Sequence, residues 1–413
     1  MSKRRIEDTN VNGYNETIDL FAKLGLDNEC IDPMVESNDF YFSRAEVENA
    51  GRLLKKIIIW NDQNNNDEIK RMYNIAHQWR NAHLYPMIKI RAEMIGKIRK
   101  LKLLGLTAAR LKQMGSIKNK VNKLSTKLNQ INDIAGCRVI LSSMDEVNKF
   151  INHIQLNSKY PIKKEYDYLI KPKNSGYRSY HVVFNYCDKI STNINMRRVE
   201  LQIRSRLQHA WATTVEAVGL YRGENLKDLT GNKDWLLFFQ LLSDEFARAE
   251  NMPTRENSLS VKENKEAIIE LNRKLNALNI LDNLNFAYKY SDEYVHDKAN
   301  YFLIVYNTDL QNVYVRGFSD HTMASLVLEN EDNNNSNNHV VLVKAEKIEK
   351  LIQLYPNYYG DVQYFVQNVR HIIKGKSAQE YILPLQATAP QPQRETQKLA
   401  WYRRSSKQRH KYS

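Results

Sequence analysis

The sequence predicts an α/β fold: a mixed β-sheet flanked by helices, with a smaller α+β unit toward the C-terminus. Short apolar strands alternate with amphipathic helices as far as about residue 250, which is the order typical of α/β proteins. After about residue 255 the pattern changes to one helix, three strands and a last helix. A chain of 413 residues is also long enough for two or three domains.

The first predicted elements are helices. We expect them at 43–60 and 68–103, separated by the polar loop 61–68, and we expect Pro86 to kink or break the second one. A short loop that ends at Gly115 follows.

Ser116 is the predicted N-cap of the next helix, because apolar residues repeat behind it with helical spacing. Those residues are Ile117, Val121, Leu124 and Leu128. The elements predicted after this helix are, in chain order, a strand at 137–142, a helix at 145–156, strands at 181–186 and 196–205, and helices at 206–220 and 234–249.

The C-terminal unit is predicted to contain helices at 262–281 and 361–375 and strands at 301–306, 311–318 and 339–345. The low-complexity run 329–338 is expected to be an exposed loop. The expected organisation is a polar segment 1–42, a main domain 43–250, the smaller unit 255–385 and a basic, disordered tail 386–413.

Positive charge is concentrated in two parts of the chain, whose net charge is +14. Between Lys89 and Lys127 twelve Lys or Arg residues accompany one acid, Glu93, and in 394–413 seven accompany Glu395. Clusters of this kind attract the phosphate groups of nucleotides or RNA, although a solvated, disordered tail is an equally good interpretation of the second cluster.

The composition also excludes some classes of protein. Three cysteines, Cys30, Cys137 and Cys187, are widely separated, which fits reduced thiols and excludes a CxxC-type zinc site. No apolar run approaches the roughly 18 residues of a membrane span, and the N-terminus lacks the apolar stretch of a signal peptide. We therefore expect a soluble, cytoplasmic protein without membrane contact.

Two carboxylates stand where a divalent cation could be held. Asp133 comes just before a predicted buried strand, in which Gly136 would let a ligand come close. Glu200 lies in an alternating strand and shares its polar face with Gln202 and Arg204. Together the carboxylates would hold Mg²⁺ against nucleotide phosphates. The alternative is a turn aspartate and a solvated sheet face.

The stretch 167–181, DYLIKPKNSGYRSYH, combines basic and aromatic residues around a turn at 174–176. An aromatic ring beside basic side chains can stack on a base while the charges bind phosphate. The alternative is a solvated loop with Tyr177 packed at its edge.

Basic residues surround the predicted helix start at Ser116. Free backbone N–H groups and the helix dipole already favour an anion there, so that an ATP triphosphate is a natural ligand. A solvated basic helix face is the alternative. The residues concerned are Arg110, Lys112, Lys118 and Lys120.

Four segments, in this order and spacing, resemble the synthetase domain of RelA/SpoT proteins: RLKQMGSIKNKV (110–121), DIAGCRVI (133–140), KPKNSGYRSYH (171–181) and VELQIRSRLQHAWA (199–212). The likeness covers roughly residues 75–225. It implies a nucleotidyltransferase-like fold with a mixed sheet. It also implies Mg²⁺-dependent transfer of the β,γ-pyrophosphate of ATP to the ribose 3′-hydroxyl of GDP or GTP, which yields guanosine tetra- or pentaphosphate and AMP.

The resemblance implies a role for each matching residue. Asp133 and Glu200 would hold Mg²⁺, and Glu200 would also take the proton of the attacking hydroxyl. The ATP site would comprise Arg110, Lys112, Ser116, Lys120 and Arg138. Tyr177 would stack on the guanine, and the rest of the acceptor site would comprise Lys171, Lys173, Gly176, Arg178, Ser179, His181, Gln202, Arg204 and His209.

The sequence departs from the family pattern in two respects. Relatives often have a Glu-His pair after the QHAWA segment, whereas here Ala217 follows Glu216. The bifunctional members carry a hydrolase domain with a His-Asp metal motif ahead of the synthetase. About a hundred residues precede the region here without such a motif, and His296-Asp297 stands alone behind it. We therefore expect synthesis without hydrolysis.

Two other functions stay open. Toxin-like relatives pyrophosphorylate the 3′ end of tRNA, which the basic clusters would suit. Alternatively, the chain binds RNA or a partner without catalysis, against which the presence of both carboxylates argues. The resemblance also leaves open a homo-oligomer and the role of the unit 255–385.

Overall fold

The computed structural model describes residues 42–56, 67–123, 126–187, 196–282, 284, 300–307, 312–334, 338–344 and 358–380. The segment 1–41, most of the loop predicted at 61–68, the His296-Asp297 pair, and the predicted linker and basic tail lie outside the described residues.

A five-stranded mixed sheet forms the centre of the main domain. Its strands are β1 (Gly105–Leu111), β2 (Ala135–Leu141), β3 (Ile162–Asp167), β4 (Tyr180–Asn185) and β5 (Arg198–Ser205). Their order is β1-β2-β5-β4-β3, in which β2 and β5 are parallel and the other neighbours antiparallel. The predicted mixed sheet with flanking helices is confirmed.

Helices pack around this sheet. They are α1 (Arg44–Lys56), α2 (Asp67–Asn81), α3 (Leu84–Lys100), α4 (Met114–Lys123), α5 (Met144–Asn157), α6 (Arg206–Arg222) and α7 (Lys233–Ala249). Helices α3 and α5 pack on one sheet face, where the apolar residues of the strands alternate inward; Val139, Phe184 and Leu201 are fully buried there. The other face is therefore left for polar side chains.

Short sequence signals set the ends of the helices that support the site. Ser205 and Gln208 form a reciprocal capping box at the start of α6, and Gly223 ends that helix with a φ of +71°. Asn232 caps α7 by accepting hydrogen bonds from two backbone N–H groups. Because α6 starts directly after β5, its first turn is fixed to the strand that carries Glu200.

The C-terminal unit has a second, three-stranded antiparallel sheet. Its elements are α8 (Val261–Leu275), β6 (Tyr301–Asn307), β7 (Asn312–Phe318), α9 (His321–Asn334), β8 (Asn338–Lys344) and α10 (Tyr358–Ile373), with strand order β7-β6-β8. Helix α10 shares one apolar core with α6, α7 and α8, where Phe365 lies 6.0 Å from Phe239 and 5.6 Å from Phe246 between ring centroids. The boundaries expected for the two units stay predictions.

Both edge strands of the main sheet are absent from the sequence prediction. β1 occupies the stretch expected to be a loop before Gly115, and β3 precedes the KPKNSGYRSYH segment. Edge strands pair on one side only, and β3 carries charged residues such as Lys164 and Glu165, so that neither strand shows the apolar pattern of a buried one.

Three predicted boundaries are wrong. The helix expected at 68–103 is two helices that meet at Ala82 and His83, and Pro86 lies in the first turn of α3, where a proline is tolerated. Ser116 is not an N-cap, because α4 already begins at Met114. The loop expected at 329–338 is helical as far as Asn334.

Candidate active site

The sheet face opposite to helices α3 and α5 carries the polar residues of the predicted site. Residues paired across neighbouring strands point to the same face, so the strand register defines its rows. One row contains Arg110, Gly136, Glu200 and Val183. The next row contains Ala108, Arg138, Gln202, His181 and Tyr166.

Five side chains on this face form a closed set of hydrogen bonds, which we call the polar ring. Glu200 Oε1 lies 3.2 Å from His181 Nδ1, and His181 Nε2 lies 2.8 Å from the hydroxyl of Tyr177. Arg204 Nη2 donates to that hydroxyl at 2.5 Å and to Gln202 Oε1 at 2.9 Å. Gln202 Nε2 donates to Glu200 Oε2 at 2.8 Å, which closes the ring.

The contacts of the polar ring shift the pKa values of Glu200 and His181 toward their charged forms. Burial alone would raise the pKa of Glu200, but the hydrogen bonds from His181 and Gln202 lower it to about 2. Burial would lower the pKa of His181, but its bonds to Glu200 and Tyr177 raise it overall. Burial would raise the pKa of Tyr177, but the cations around it, Arg204 first, lower it to about 7. Glu200 is therefore an ionised carboxylate at neutral pH.

Asp133 lies beside this ring, three residues before Gly136, which is paired with Glu200 in the neighbouring parallel strand. Its carboxylate accepts hydrogen bonds from Lys112 Nζ at 3.1 Å and from Lys120 Nζ at 2.8 Å. The charge of Lys120 also lowers the pKa of Glu200. The ammonium group of Lys120 thus bonds to Asp133 and lowers the pKa of Glu200. The fold brings these two predicted metal ligands to the same part of the sheet.

The arginine side chains of Arg138, Arg204 and Arg110 influence one another electrostatically next to the polar ring. Burial and the charge of Arg204 lower the pKa of Arg138 to about 10, and Arg110 adds to that effect, whereas Glu216 opposes it. The buried Nε atoms of Arg138 and Arg204 have no hydrogen-bond partner among the described residues. Unsatisfied guanidinium donors of this kind favour an anionic ligand such as phosphate.

The loop that precedes β4 is buried more deeply than the sequence suggests. Lys171 and Lys173 are exposed, but the residues from Gly176 to Ser179 are buried. Arg178 donates to Ser243 Oγ at 3.3 Å and to the carbonyl of Leu169 at 3.1 Å. Ser179 donates to the carbonyl of Ile203 at 3.1 Å. Both side chains fix the loop in this structure, and the acceptor-binding roles predicted for Arg178 and Ser179 stay predictions.

Tyr177 is also buried, with only 3% of its surface exposed. Three cationic groups surround its ring: Arg204 Cζ lies 4.8 Å, Lys173 Nζ 5.1 Å and Lys227 Nζ 5.7 Å from the centroid. In this structure the ring is therefore covered largely by contacts within the protein.

His209 belongs to a contact between α6 and the C-terminal unit. Its Nε2 lies 3.0 Å from Asp361 Oδ2 of α10, and Arg206 reaches the second oxygen at 3.2 Å. Burial, with Arg138 and Arg204 in electrostatic range, lowers the pKa of His209 to about 4 despite the bond to Asp361. In this structure the imidazole of His209 is bonded to Asp361 of α10, and the acceptor-binding role predicted for it stays a prediction. Ser116 is exposed in the first turn of α4.

Two residues near the site are absent from the predicted set. Glu216 of α6 binds Lys227 Nζ at 2.5 Å, and its pKa falls to about 2, because Lys227, Arg110 and Arg138 outweigh the effect of burial. Glu216 follows His209 by two helical turns, which is a signal for a shared face. Lys227 lies in a short 3₁₀ turn, Leu226–Asp228, outside every motif, so that no sequence signal points to it.

Within the described residues, no three or more His, Cys, Asp or Glu side chains are grouped so that they could hold a metal by themselves. The described helices include none with the length and apolarity that a bilayer span requires.

Comparison with known proteins identifies one matching region. Residues 109–225 match the family model described as a region found in RelA / SpoT proteins.

Two proteins of Bacillus subtilis (strain 168) are similar to this chain. GTP pyrophosphokinase YwaC is 29% identical over 113 residues, which cover 26% of this chain and 54% of that protein. GTP pyrophosphokinase YjbM is 29% identical over 122 residues, which cover 29% and 58%. The chain thus spans little more than half the length of these relatives.

Two solved structures are also similar to part of this chain. The small alarmone synthetase 1 of Bacillus subtilis, bound to its product pppGpp, is 22% identical with a TM-score of 0.38, over 44% of this chain and 94% of that one. A GTP pyrophosphokinase family protein of Streptococcus pneumoniae is 23% identical with a TM-score of 0.36, over 42% and 89%.

Proposed function

Residues 109–225 of this chain form a RelA/SpoT-type synthetase region, and we propose that the protein transfers the β,γ-pyrophosphate of ATP to the ribose 3′-hydroxyl of GDP or GTP. The relatives named as GTP pyrophosphokinases support this class of reaction. Hydrolysis of the product is not part of the proposal.

One observation carries the proposal: the carboxylates of Asp133 and Glu200 lie beside arginine side chains whose buried Nε atoms have no hydrogen-bond partner among the described residues. Lys120 bonds to Asp133 and lowers the pKa of Glu200, so both carboxylates lie within the influence of one positive charge. Pyrophosphate transfer requires this combination, because the donor carries several negative charges and the attacking hydroxyl must lose a proton.

The residues fit a Mg²⁺ ion. An added Cβ at Gly136, in the same row as Glu200, would meet only the carbonyl of Arg110 at 3.9 Å, so that the sheet is open at this point. Asp133 and Glu200 would supply two oxygen ligands, and phosphate oxygens and water would complete the shell. When bound, Mg²⁺ would neutralise charge on the phosphates and align them for attack.

Other side chains of the site would bind the phosphates of the two substrates and accept the proton. Arg110, Arg138 and Lys120 would bind the phosphates of ATP. Glu200, held by His181 and Gln202, would accept the proton of the 3′-hydroxyl. Lys171 and Lys173, exposed beside the buried loop, would bind the phosphates of the acceptor.

A second candidate keeps this transfer and changes the acceptor to the 3′ end of tRNA. The observation that favours it is the exposed basic surface beside the site, which includes Lys171 and Lys173. Exposed Lys and Arg side chains near the site would bind an RNA backbone in a salt-dependent manner.

A transfer assay with separate acceptors tests the proposal. Purified protein is incubated with Mg²⁺ and ATP labelled on the γ-phosphate, together with GDP, GTP or tRNA. We expect label on GDP or GTP and expect Glu200→Gln to reduce the rate at least about 100-fold. Label on tRNA alone would replace the first candidate by the second. If no acceptor is labelled, or if Glu200→Gln is as active as the parent protein, the proposed function is wrong.

A further inference from the structure

Helix α10 of the C-terminal unit brings a buried carboxylate to the start of α6. Asp361 lies in the first turn of α10 and is 2% exposed. Its Oδ2 lies 3.0 Å from His209 Nε2, and its Oδ1 lies 3.2 Å from Arg206 Nη2. A carboxylate is stable in such a place only with partners of this kind, because burial removes its hydration. The three side chains therefore join the C-terminal unit to the first turn of α6.

Apolar packing holds α10 in place independently of this contact. Four of its side chains are at most 1% exposed and belong to the core that α10 shares with α6, α7 and α8: Val362, Phe365, Val366 and Val369. An acidic residue in the first turn also interacts favourably with the helix dipole, but a solvent-exposed one would do so as well. Neither the docking of α10 nor its helix start thus explains why Asp361 is buried against α6.

His209 lies between Asp361 and the polar face of the main sheet. Burial is the largest cause of its low pKa, and the charges of Arg138 and Arg204 on that face lower the pKa further. Its Nδ1 atom is buried and has no hydrogen-bond partner among the described residues. Because Asp361 engages Nε2, the orientation of the imidazole is fixed and Nδ1 is the nitrogen left for a ligand.

We propose that Asp361 is a positioning residue: it holds His209 and the first turn of α6, and so makes the C-terminal unit part of the acceptor side of the transfer site. The inference rests on the proposed pyrophosphate transfer, in which Glu200 of the polar ring takes the proton of the acceptor hydroxyl. Arg204, which acts on His209, belongs to the same ring. The polar group that meets His209 Nδ1 is therefore one of the acceptor nucleotide.

Asp361→Asn tests this role, since it removes the charge and keeps the shape of the side chain. We expect the KM for the acceptor to rise about 10-fold and the KM for ATP to change less than about threefold, because a displaced binding group weakens only the substrate that it contacts. Steady-state kinetics with the acceptor identified in the transfer assay give both values. A merely structural role would reduce the fraction of folded enzyme, which lowers kcat but leaves both KM values unchanged.

A double-mutant cycle shows whether Asp361 acts through His209. His209→Gln alone should also raise the acceptor KM. Adding Asp361→Asn to it should change that KM by less than about twofold, because the group that Asp361 positions is already lost. Asp361→Glu is measured in parallel. It keeps the charge and displaces the carboxylate by one methylene group, so that a smaller rise in the acceptor KM is expected even if Asp361→Asn does not fold.

Asn368→Ala is the matched control on the same helix. Asn368 is also 2% exposed, and its side chain donates to the carbonyl of Tyr364 at 3.0 Å and accepts from the N–H of Gln379 at 2.7 Å. These bonds stay within the C-terminal unit. The variant should unfold at a lower urea concentration than the parent protein but keep both KM values.

Each result leads to a separate conclusion. An unchanged acceptor KM in a folded Asp361 variant would overturn the inference and leave the proposed function standing. An equal rise in Asn368→Ala would assign the effect to general loosening of α10, and multiplicative effects in the double variant would show that Asp361 does not act through His209. Either result contradicts the positioning role. If the parent protein transfers nothing to any acceptor, the proposed function itself fails.

Discussion

Arg138 lies close to two other arginines, Arg110 and Arg204, and the carboxylate of Glu216 opposes their effect on its pKa. Its buried Nε has no partner among the described residues, and burial and Arg204 both lower its pKa. Arg138→Gln should therefore raise the KM for ATP about 10- to 100-fold, which corresponds to one or two charged hydrogen bonds. The free energy of unfolding should change little, because burial and the charge of Arg204 disfavour the Arg138 cation while Glu216 favours it. Steady-state kinetics with varied ATP and urea unfolding measure the two quantities.

The control for this substitution is Arg99→Gln. Arg99 is exposed in the last turn of α3, which packs on the opposite face of the sheet. The variant Arg99→Gln removes the same charge as Arg138→Gln. A general electrostatic effect on nucleotide binding would therefore appear in both variants. An equal rise in KM, or a clear loss of stability in Arg138→Gln alone, would contradict the role given to Arg138.

Residue chemistry at the site was predictable where it depended on the local strand pattern. The alternation of β5 placed Glu200, Gln202 and Arg204 on one face, and the burial of the intervening residues confirms it. The burial of Tyr177 was not predictable, because its covering residues come from separate parts of the chain, including Lys227 in a short 3₁₀ turn. A motif specifies residue types, but their solvent exposure depends on such long-range packing.

At the scale of elements, the turn before β4 depends on a glycine. Gly176 has a φ of +90°, and a Cβ there would meet Ser243 Cβ at 2.8 Å and Trp211 Cζ2 at 3.2 Å. Ser243 also donates to the Gly176 carbonyl at 2.5 Å, which binds the loop to α7. Gly176→Ala should reduce the free energy of unfolding by roughly 2–4 kcal/mol through backbone strain and steric overlap. Urea unfolding measures the loss.

Gly136→Ala is the comparison for this element. Its added Cβ would have no contact closer than 3.9 Å, so the free energy of unfolding should change by less than about 0.5 kcal/mol. If both substitutions destabilise the protein to a similar extent, the positive φ and the contact with α7 are not the cause of the destabilisation at Gly176.

Two kinds of feature were predicted poorly from the sequence: the edge strands of the main sheet and the first residues of helices. β2, β4 and β5 have apolar runs because both their neighbours and the core helices cover them. The edge strands β1 and β3 lack such runs. Ser116 has the residue type of an N-cap, but α4 starts two residues earlier, so that residue preference alone placed the boundary wrongly.

For the whole molecule, the C-terminal unit contributes to the structure that supports the site. Asp361 of α10 is buried against Arg206 and His209 in the first turn of α6, directly after the strand of Glu200. The sequence showed helix α10 but not its partner, because the pairing joins residues about 150 positions apart. The unit predicted as an addition to the main domain thus shares a core and a buried ion pair with it.

Glu250 connects the ends of several elements and should make stability depend on pH. It is buried after α7, where Gln208 Nε2 donates to it at 2.8 Å and Ser205 contacts its other oxygen. Burial raises its pKa to about 7, although the hydrogen bonds from Ser205 and Gln208 oppose the shift. The folded state therefore holds this proton more tightly than the unfolded chain. Its contribution to stability is fully present below about pH 4.5 and is lost as the pH rises through 7.

Glu250→Gln should remove this dependence, because the amide keeps the shape of the protonated acid without titrating. Between pH 5 and 8 the parent protein should lose about 2 kcal/mol of unfolding free energy relative to the variant. Urea unfolding at the two pH values measures the difference, and other titrating groups cancel because both proteins share them. Glu256→Gln, at an exposed position, should follow the parent protein. If the unfolding free energy of Glu250→Gln shows the same pH dependence as that of the parent protein, burial does not raise the pKa of Glu250 in the folded state.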